Sequence, residues 1–412
     1  MTVENPPAGQ RRVVLAILAT AITIGVIEAV SYVGLWLAPS VLHQSIRRTP
    51  EIFAEQSAKL RQLLDTAAKH REVLDSALGW RYRAGFQKGG DQISGQGLRS
   101  ARVYATTPPR GVLRAAAFGD SYVYGTEVDN ADAWPTLVEQ LSPDIEVMNY
   151  GVGGYGVDQA YLRYADEGTR LQPRLVVIGF APVDLPRVVN RYRRFLDDRE
   201  IALTKPRFVV GGDGSLSLLP NPLPTREDYA RLVANPKLAL SMGENDQWFE
   251  PVVYKNPFYD WSSTVRLASG LWVKLHRRFI GDDRVLRGRL MNAQSPAFRI
   301  QVALFEQFAS RVKRDRAAPV VVILPDHDAI VEAAHGMVRP FAPLLAALRE
   351  RGIDYVDLTD AFLADGDVAH AQRWFMPGGH YSRAGNAVIA ARLARELRAR
   401  AEASEPAVVA AR

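Results

Sequence analysis

Five short apolar runs, each set off by stretches with helical spacing, constrain this chain more than any other feature. They cover residues 112–118, 145–149, 175–180, 319–324 and 354–358, and helices are expected over 133–141, 157–170, 339–351 and 384–400. Runs without polar alternation suit strands buried on both faces, and the β-α-β rhythm implies parallel strands joined by right-handed crossovers. The expected fold class is therefore α/β: a three-layer, open parallel sheet with helices on both faces. Its core is assigned to 111–182 and 297–404, interrupted by an insertion at 183–296. A stretch of that length needs structure of its own, and a β-hairpin is expected over 207–220 and a helix over 260–279. Because it leaves the C-terminal end of the third strand, the insertion is expected to cap the sheet edge where open α/β folds bind ligands.

The N-terminus carries a second constraint. Residues 1–12 are polar and end in Arg11 and Arg12, after which 13–38 runs 26 residues with one formal charge, Glu28. That length crosses a bilayer, and without a convincing cleavage site it reads as an uncleaved signal anchor. The expected topology is a single-pass protein of the bacterial inner (cytoplasmic) membrane, with 1–12 in the cytoplasm and the remainder on the extracytoplasmic, periplasmic side. Glu28 either faces a partner helix, snorkels, or marks a span that ends early. Residues 39–110 are assigned to a stalk and linker. An amphipathic helix is expected from 50 to about 78, carrying Leu60, Leu63, Leu64, Ala67, Val73 and Leu74, then an irregular glycine-rich stretch over 79–109. Residues 405–412 form a tail.

Composition removes several functions. The 412 residues include no cysteine, which excludes disulfides, thiolate metal sites and cysteine nucleophiles. The net charge of +6 is spread without a basic block, so nucleic acid is not an expected partner.

The chemistry-bearing stretch is Phe118-Gly-Asp-Ser-Tyr-Val-Tyr-Gly125, which delivers Ser121 to the end of the first apolar run. Two further stretches accompany it: Asn149-Tyr-Gly-Val-Gly-Gly154 after the next run, and Gly379-His-Tyr-Ser-Arg-Ala-Gly-Asn386 before the last helix. Together they resemble the SGNH (GDSL-type) hydrolase family over residues 112–182 and 319–400. The resemblance implies an SGNH/flavodoxin-like sheet, Ser121 as nucleophile, His380 as base, and the N–H groups of Ser121 and Gly154 as oxyanion donors, with no cofactor and no metal. Ester cleavage by a serine needs these parts plus a group that orients the base.

Two positions depart from the family pattern. Val183 stands where an asparagine amide donor is expected, and Pro377 where the acid before the histidine is expected. Asp365, Asp367 or Asp326 is the expected substitute acid, or else a backbone carbonyl, leaving a Ser-His dyad. Seven histidines are present. His327, between Asp326 and Asp328, is the rival base, and three adjacent residues on a turn cannot readily face one metal ion. Asp120, Val183, Asp184, Asp326 and His327 are the expected site lining. Arg187, Arg191, Arg193 and Arg194 read as a solvated helix face or an acidic-glycan rim. Tyr122, Tyr124 and Tyr155 read as core aromatics or a sugar platform.

The leading functional expectation is a membrane-anchored serine esterase for O-acyl esters, with O-acetyl groups of an envelope or surface glycan as substrate. An O-acyltransferase of the same fold and a non-catalytic envelope binding protein are the alternatives.

Overall fold

The computed structural model describes residues 8–42, 45–65, 70–197, 200–279 and 284–403. Helix α1 (Ala8–Leu42) is followed by α2 (Thr49–Asp65) and by a hairpin of β1 (Glu72–Asp75) and β2 (Gly79–Tyr82). The sheet begins with β3 (Leu113–Gly119), and the one-turn helix α3 (Ser121–Tyr124) caps its end. Then come α4 (Trp134–Leu141), β4 (Ile145–Gly151), α5 (Val157–Glu167) and β5 (Leu175–Phe180). The insertion holds the hairpin β6 (Arg207–Val210) and β7 (Leu216–Leu219), then α6 (Arg226–Ala234) and α7 (Ser263–Phe279). The core resumes with α8 (Pro296–Arg314), β8 (Ala318–Ile323), α9 (His327–Ala334), α10 (Ala342–Glu350), β9 (Tyr355–Asp357) and α11 (Arg383–Ala403).

The main sheet has five strands in the order β9-β8-β5-β3-β4, all parallel. Its strands alternate their side chains between two apolar layers, as a period of two requires. Ala116, Phe118, Val176, Ile178, Val321 and Ile323 meet α5, α8 and α10 on one side. Ala115, Ala117, Leu175, Val177, Val320 and Val322 meet α4 and α11 on the other. β3 is flanked by β4 on one edge and β5 on the other, so the chain reverses its direction across the sheet at β3. Crevices form outside the carboxyl ends of strands at such reversals.

Three strands carry a glycine at or next to their ends beneath α3: Gly119, Gly151 and Gly179. A Cβ on Gly119 or Gly179 would lie 2.4 or 2.3 Å from a methyl of Val123, and one on Gly151 would lie 2.3 Å from the backbone nitrogen of Tyr124. The missing side chains let the one-turn helix sit directly on the sheet.

The region before the sheet differs from the expected stalk. α2 stops at Asp65 rather than continuing to about 78, and Val73 and Leu74 lie on β1 instead; Ala67 lies outside the described residues. α2 also packs on α6, with Phe53, Leu60 and Leu64 in one apolar cluster with Tyr229 and Leu232. Trp80 and Tyr82 of β2 join the same cluster, against Tyr124 and Tyr155. The hairpin therefore belongs to the folded body, and Glu72, Asp75 and Arg81 around it form short-range ion pairs.

Gly151→Ala is expected to lift α3 off the sheet and cost about 1–3 kcal/mol, the usual range for overpacking. Gly212→Ala, with open space around its added Cβ, is expected to leave the melting temperature unchanged. Thermal melts of the full chain in detergent check the pair.

Candidate active site

The turn that carries Ser121 is pinned on all sides. Asp120 caps α3, its carboxylate accepting the Tyr122 N–H at 2.7 Å, and Gly125 ends the helix at φ 81°. The Asn149 amide donates to the carbonyls of Val123 and Tyr124 at 3.0 and 3.2 Å. Arg99 takes the remaining carbonyls. Its buried guanidinium donates to Tyr124 O at 2.5 Å, to Gly125 O and to Val128 O, while Nε reaches Asn130 Oδ1 at 2.9 Å. A helix C-terminus leaves carbonyls without partners, and a cation there satisfies them while opposing the helix dipole.

Arg99 thereby fixes residues 124–128, the loop that holds Glu127. Glu127 has a left-handed backbone, φ 73°, and its carboxylate turns toward the 376–380 loop. It accepts from Gly378 N at 2.9 Å, His380 N at 3.3 Å and His380 Nδ1 at 2.8 Å. Partial burial pushes the Glu127 carboxyl up, but these three donors outweigh it and hold the group below the ordinary carboxylate range. An Nδ1–H held by a carboxylate leaves Nε2 as the basic nitrogen of a neutral imidazole. The His380 ring packs 5.2 Å from the ring of Tyr122, the residue next to Ser121, and the Tyr122 hydroxyl donates to Gly379 O at 3.3 Å. The glycine-rich loop thus stands against the nucleophile turn.

Glu127 corrects the expected acid. Asp365 pairs with Arg373 at 2.5 Å, Asp367 contacts His370 at 2.8 Å and Arg373 at 2.9 Å, and Asp326 caps α9 by accepting Ala329 N at 2.9 Å. None of the three faces the His380 ring, and no backbone carbonyl holds its Nδ1 among the described contacts. Glu127 lies six residues after Ser121. The usable signal was its position on the loop leaving the nucleophile turn, which topology keeps at the same sheet edge. His327 occupies the first turn of α9, with Nδ1 3.0 Å from Asp328 and its ring 5.7 Å from that of Phe375. Phe375 and Tyr381 stand between it and the Tyr122–His380 pair, and its ring nitrogen contacts neither Ser121 nor Glu127 among the described contacts.

Gly154 has φ 80°. The neighbouring Gly153 is held by β2: its N–H donates to the Tyr82 hydroxyl at 2.8 Å and its carbonyl accepts from Trp80 Nε1 at 3.1 Å. Among the described residues, the N–H groups of Ser121 and Gly154 have no acceptor. Val183 is half exposed on the 3₁₀ stretch Pro182–Val189 and lines a cleft of about 680 Å³ with Pro186, Trp248, Phe249, Lys274 and Arg277. Ser121 and His380 are not part of its wall; the cleft meets their sheet edge through Pro182 and Val183.

Asp184 is buried, hydrogen-bonded to Asp120 and paired with Arg187, which also donates to Tyr155 O at 3.1 Å. Burial pushes its carboxyl well above the ordinary range, the Arg187 cation opposes this, and Asp120 adds to it. The hydrogen bond between the two acids ties the exit of β5 to the cap of α3. The other arginines are internal too. Arg193 and Arg194 are buried and pair with Glu200 and Glu55 at 2.7 and 3.0 Å, so they form neither a solvated face nor a rim. Tyr124 and Tyr155 lie in the core, and Tyr122 exposes only its edge.

Comparison with known proteins leaves the assignment on this geometry. No family model matches the chain, and no curated protein does. Among solved structures it is similar to a member of the lipolytic protein G-D-S-L family from Veillonella parvula, at 11% identity and TM-score 0.34, covering 69% of this chain and 97% of that one. A GDSL-like lipase from Bacteroides thetaiotaomicron matches at 11% identity and TM-score 0.33, over 71% of this chain and 91% of that one. A two-domain esterase active on acetylated mannans matches at 13% identity and TM-score 0.31, over 72% of this chain and 51% of that one. Overall superposition at these scores is weak.

The raised Asp184 carboxyl gives a pH signature. Asp184, raised in the fold, adds stability that is present below its unfolded value near 3.9 and lost as pH rises through its folded value. Asp184→Asn, a permanently neutral mimic of the protonated acid, is expected to match wild type at low pH and to become the more stable of the two as pH rises. Melting temperatures of both proteins across the acid and neutral range measure the difference.

Proposed function

We propose that this chain is a membrane-anchored serine esterase of the SGNH type, acting on O-acyl esters through Ser121, His380 and Glu127. The contact that carries the reading is the 2.8 Å hydrogen bond from His380 Nδ1 to Glu127, beside the serine turn. It supplies the orienting acid that the motif pattern lacks at Pro377.

The chemistry follows from these groups. Ser121 Oγ attacks the ester carbonyl while its proton passes to His380 Nε2, and the Glu127 carboxylate stabilises the imidazolium that forms. The N–H groups of Ser121 and Gly154 receive the developing oxyanion. Collapse breaks the C–O bond, and His380 returns its proton to the leaving alkoxide. Water then repeats the sequence against the acyl-enzyme and releases the acid.

The finer substrate reading, an O-acetyl group on an envelope glycan, rests on the anchor. Within helix α1 the candidate span Gly9–Val41 contains an 18-residue window of mean hydropathy 2.5 that the rest of the chain leaves unburied. An esterase so tethered meets polymers at the membrane's outer side when the N-terminus is cytoplasmic.

With p-nitrophenyl acetate and the full chain in detergent, Ser121→Ala and His380→Ala are each expected to abolish turnover, and the double variant to lose no more. Glu127→Gln is expected to lower kcat by roughly 10²–10⁴-fold, the scale seen when the orienting acid of such a triad is neutralised, with little change in KM. His327→Ala is expected to be silent. A fluorophosphonate should label Ser121. No turnover and no adduct on Ser121 would show a non-catalytic protein.

A further inference from the structure

Helix α7 of the insertion packs along the second half of α1, and the two run parallel. Glu28 of α1 accepts from the Ser262 hydroxyl and, at 2.7 Å, from Ser263 N at the start of α7. One turn later Ser31 Oγ meets Thr264 Oγ1 at 3.0 Å, and a Cβ on Gly34 would lie 2.9 Å from Leu267. The lone charge of the apolar helix is thus the cap of α7. The carboxylate satisfies donors that the helix itself leaves open.

This pairing sets the depth of α7. At 1.5 Å per residue, about 20 residues cross the hydrocarbon of a bilayer. Counted from Val13, the first apolar residue after Arg12, that distance ends near Tyr32. Glu28 and Ser31 therefore lie in the last turns of the span, and the start of α7 lies beside them at the boundary of hydrocarbon and headgroups. The side chains there are apolar and uncovered. Trp261 is 87% exposed and Phe258 66%, and Trp272, Leu275 and Phe279 continue the exposed stripe along α7. On α1, Val33, Trp36 and Val41 are exposed at the same levels. His276, Arg277 and Arg278 occupy the last turn of α7, farthest from Glu28.

Aromatic residues at the interface with basic residues toward water is the order that a lipid boundary selects. Contiguous apolar surface of this kind on a water-facing domain marks an interaction site. We propose that the Phe258–Trp261 loop and the first turn of α7 are seated in the lipid bilayer interface, continuous with α1, so that the insertion is a monotopic element. The inference rests on the anchoring part of the reading above and is independent of the chemistry at Ser121. Lys274 and Arg277, farther out along the same helix, line the cleft that reaches Val183.

The chain has no cysteine, so single cysteines report one site each. Val14→Cys, Phe258→Cys, Trp261→Cys, Leu275→Cys and Leu141→Cys in the full chain are labelled with the environment-sensitive dye NBD. They are reconstituted in phosphatidylcholine–phosphatidylglycerol vesicles with and without doxyl-labelled lipid. Val14 is on the span, and Leu141 is exposed just before β4, at the opposite edge of the sheet. Blue-shifted emission and loss of fluorescence to the quencher lipid are expected at 14, 258 and 261 and not at 275 or 141. Circular dichroism confirms folding of each variant, and the two loop sites stand in for one another. Quenching at 14 with 258 and 261 behaving like 141 overturns the inference and leaves the anchor intact, the loop then being covered by protein or open to water. No quenching at 14 overturns both.

Discussion

The hydrogen bond between Glu127 and His380 Nδ1 is the interaction on which the proposed site depends. An imidazole free to rotate or to exchange tautomers presents its basic nitrogen only part of the time, and a carboxylate on Nδ1 removes both freedoms. Glu127 holds more than the ring. Its other contacts are the N–H groups of Gly378 and His380, so the same carboxylate fixes the backbone that carries the base. At Gly378 a Cβ would lie 2.5 Å from that carboxylate, which explains the second glycine of the loop.

Glu127 can do this only because its own loop is immobilised. Arg99, from the stretch before the sheet, gathers the carbonyls of Tyr124, Gly125 and Val128, and its guanidinium lies 4.1 Å above the ring of Tyr124. Asn149 does the same from β4, and the three glycines at or next to strand ends let α3 descend onto the sheet. The Ser121 turn, Glu127 and Gly154, to which the proposal gives the roles of nucleophile, orienting acid and oxyanion donor, are therefore referred to one platform. The hairpin at 72–82 completes it by clamping Gly153 between Trp80 and Tyr82. A buried arginine facing carbonyls is exchanged for lysine only at the loss of the forked donor geometry.

Much of this was legible in the residues. The five strands fall within two residues of the apolar runs, because a strand buried on both faces has a continuous apolar signature that needs no partner to be recognised. The hairpin at 207–219 and the helix at 263–279 also lie where local pattern puts them. Helix α8 went unassigned although Phe298, Val302, Phe305 and Val312 mark its apolar face, and it supplies much of one layer. The helix drawn from 50 to 78 failed because Val73 and Leu74 fit a helical period as well as a strand, and the pairing of Leu74 with Trp80 decides between them.

The site divides in the same way. Ser121, Gly154 and His380 each sit in a glycine-bearing turn with a local signature. Glu127 has none; its role is a contact between residues 253 positions apart. The buried arginines carried a misleading signature, since nothing local distinguishes Arg193 on a solvated face from Arg193 paired internally with Glu200. Glu28 was resolved only by α7 lying beside it.

The central claim is that Glu127 holds the His380 Nδ1 proton. Proton NMR of the full chain in detergent observes that proton directly, since an imidazole N–H bonded to a carboxylate is shifted far downfield and protected from exchange. The account predicts one such resonance in the wild type, absent from both His380→Ala and Glu127→Gln and retained in Asp326→Asn. A resonance that survives Glu127→Gln, or that is lost in Asp326→Asn instead, would contradict it.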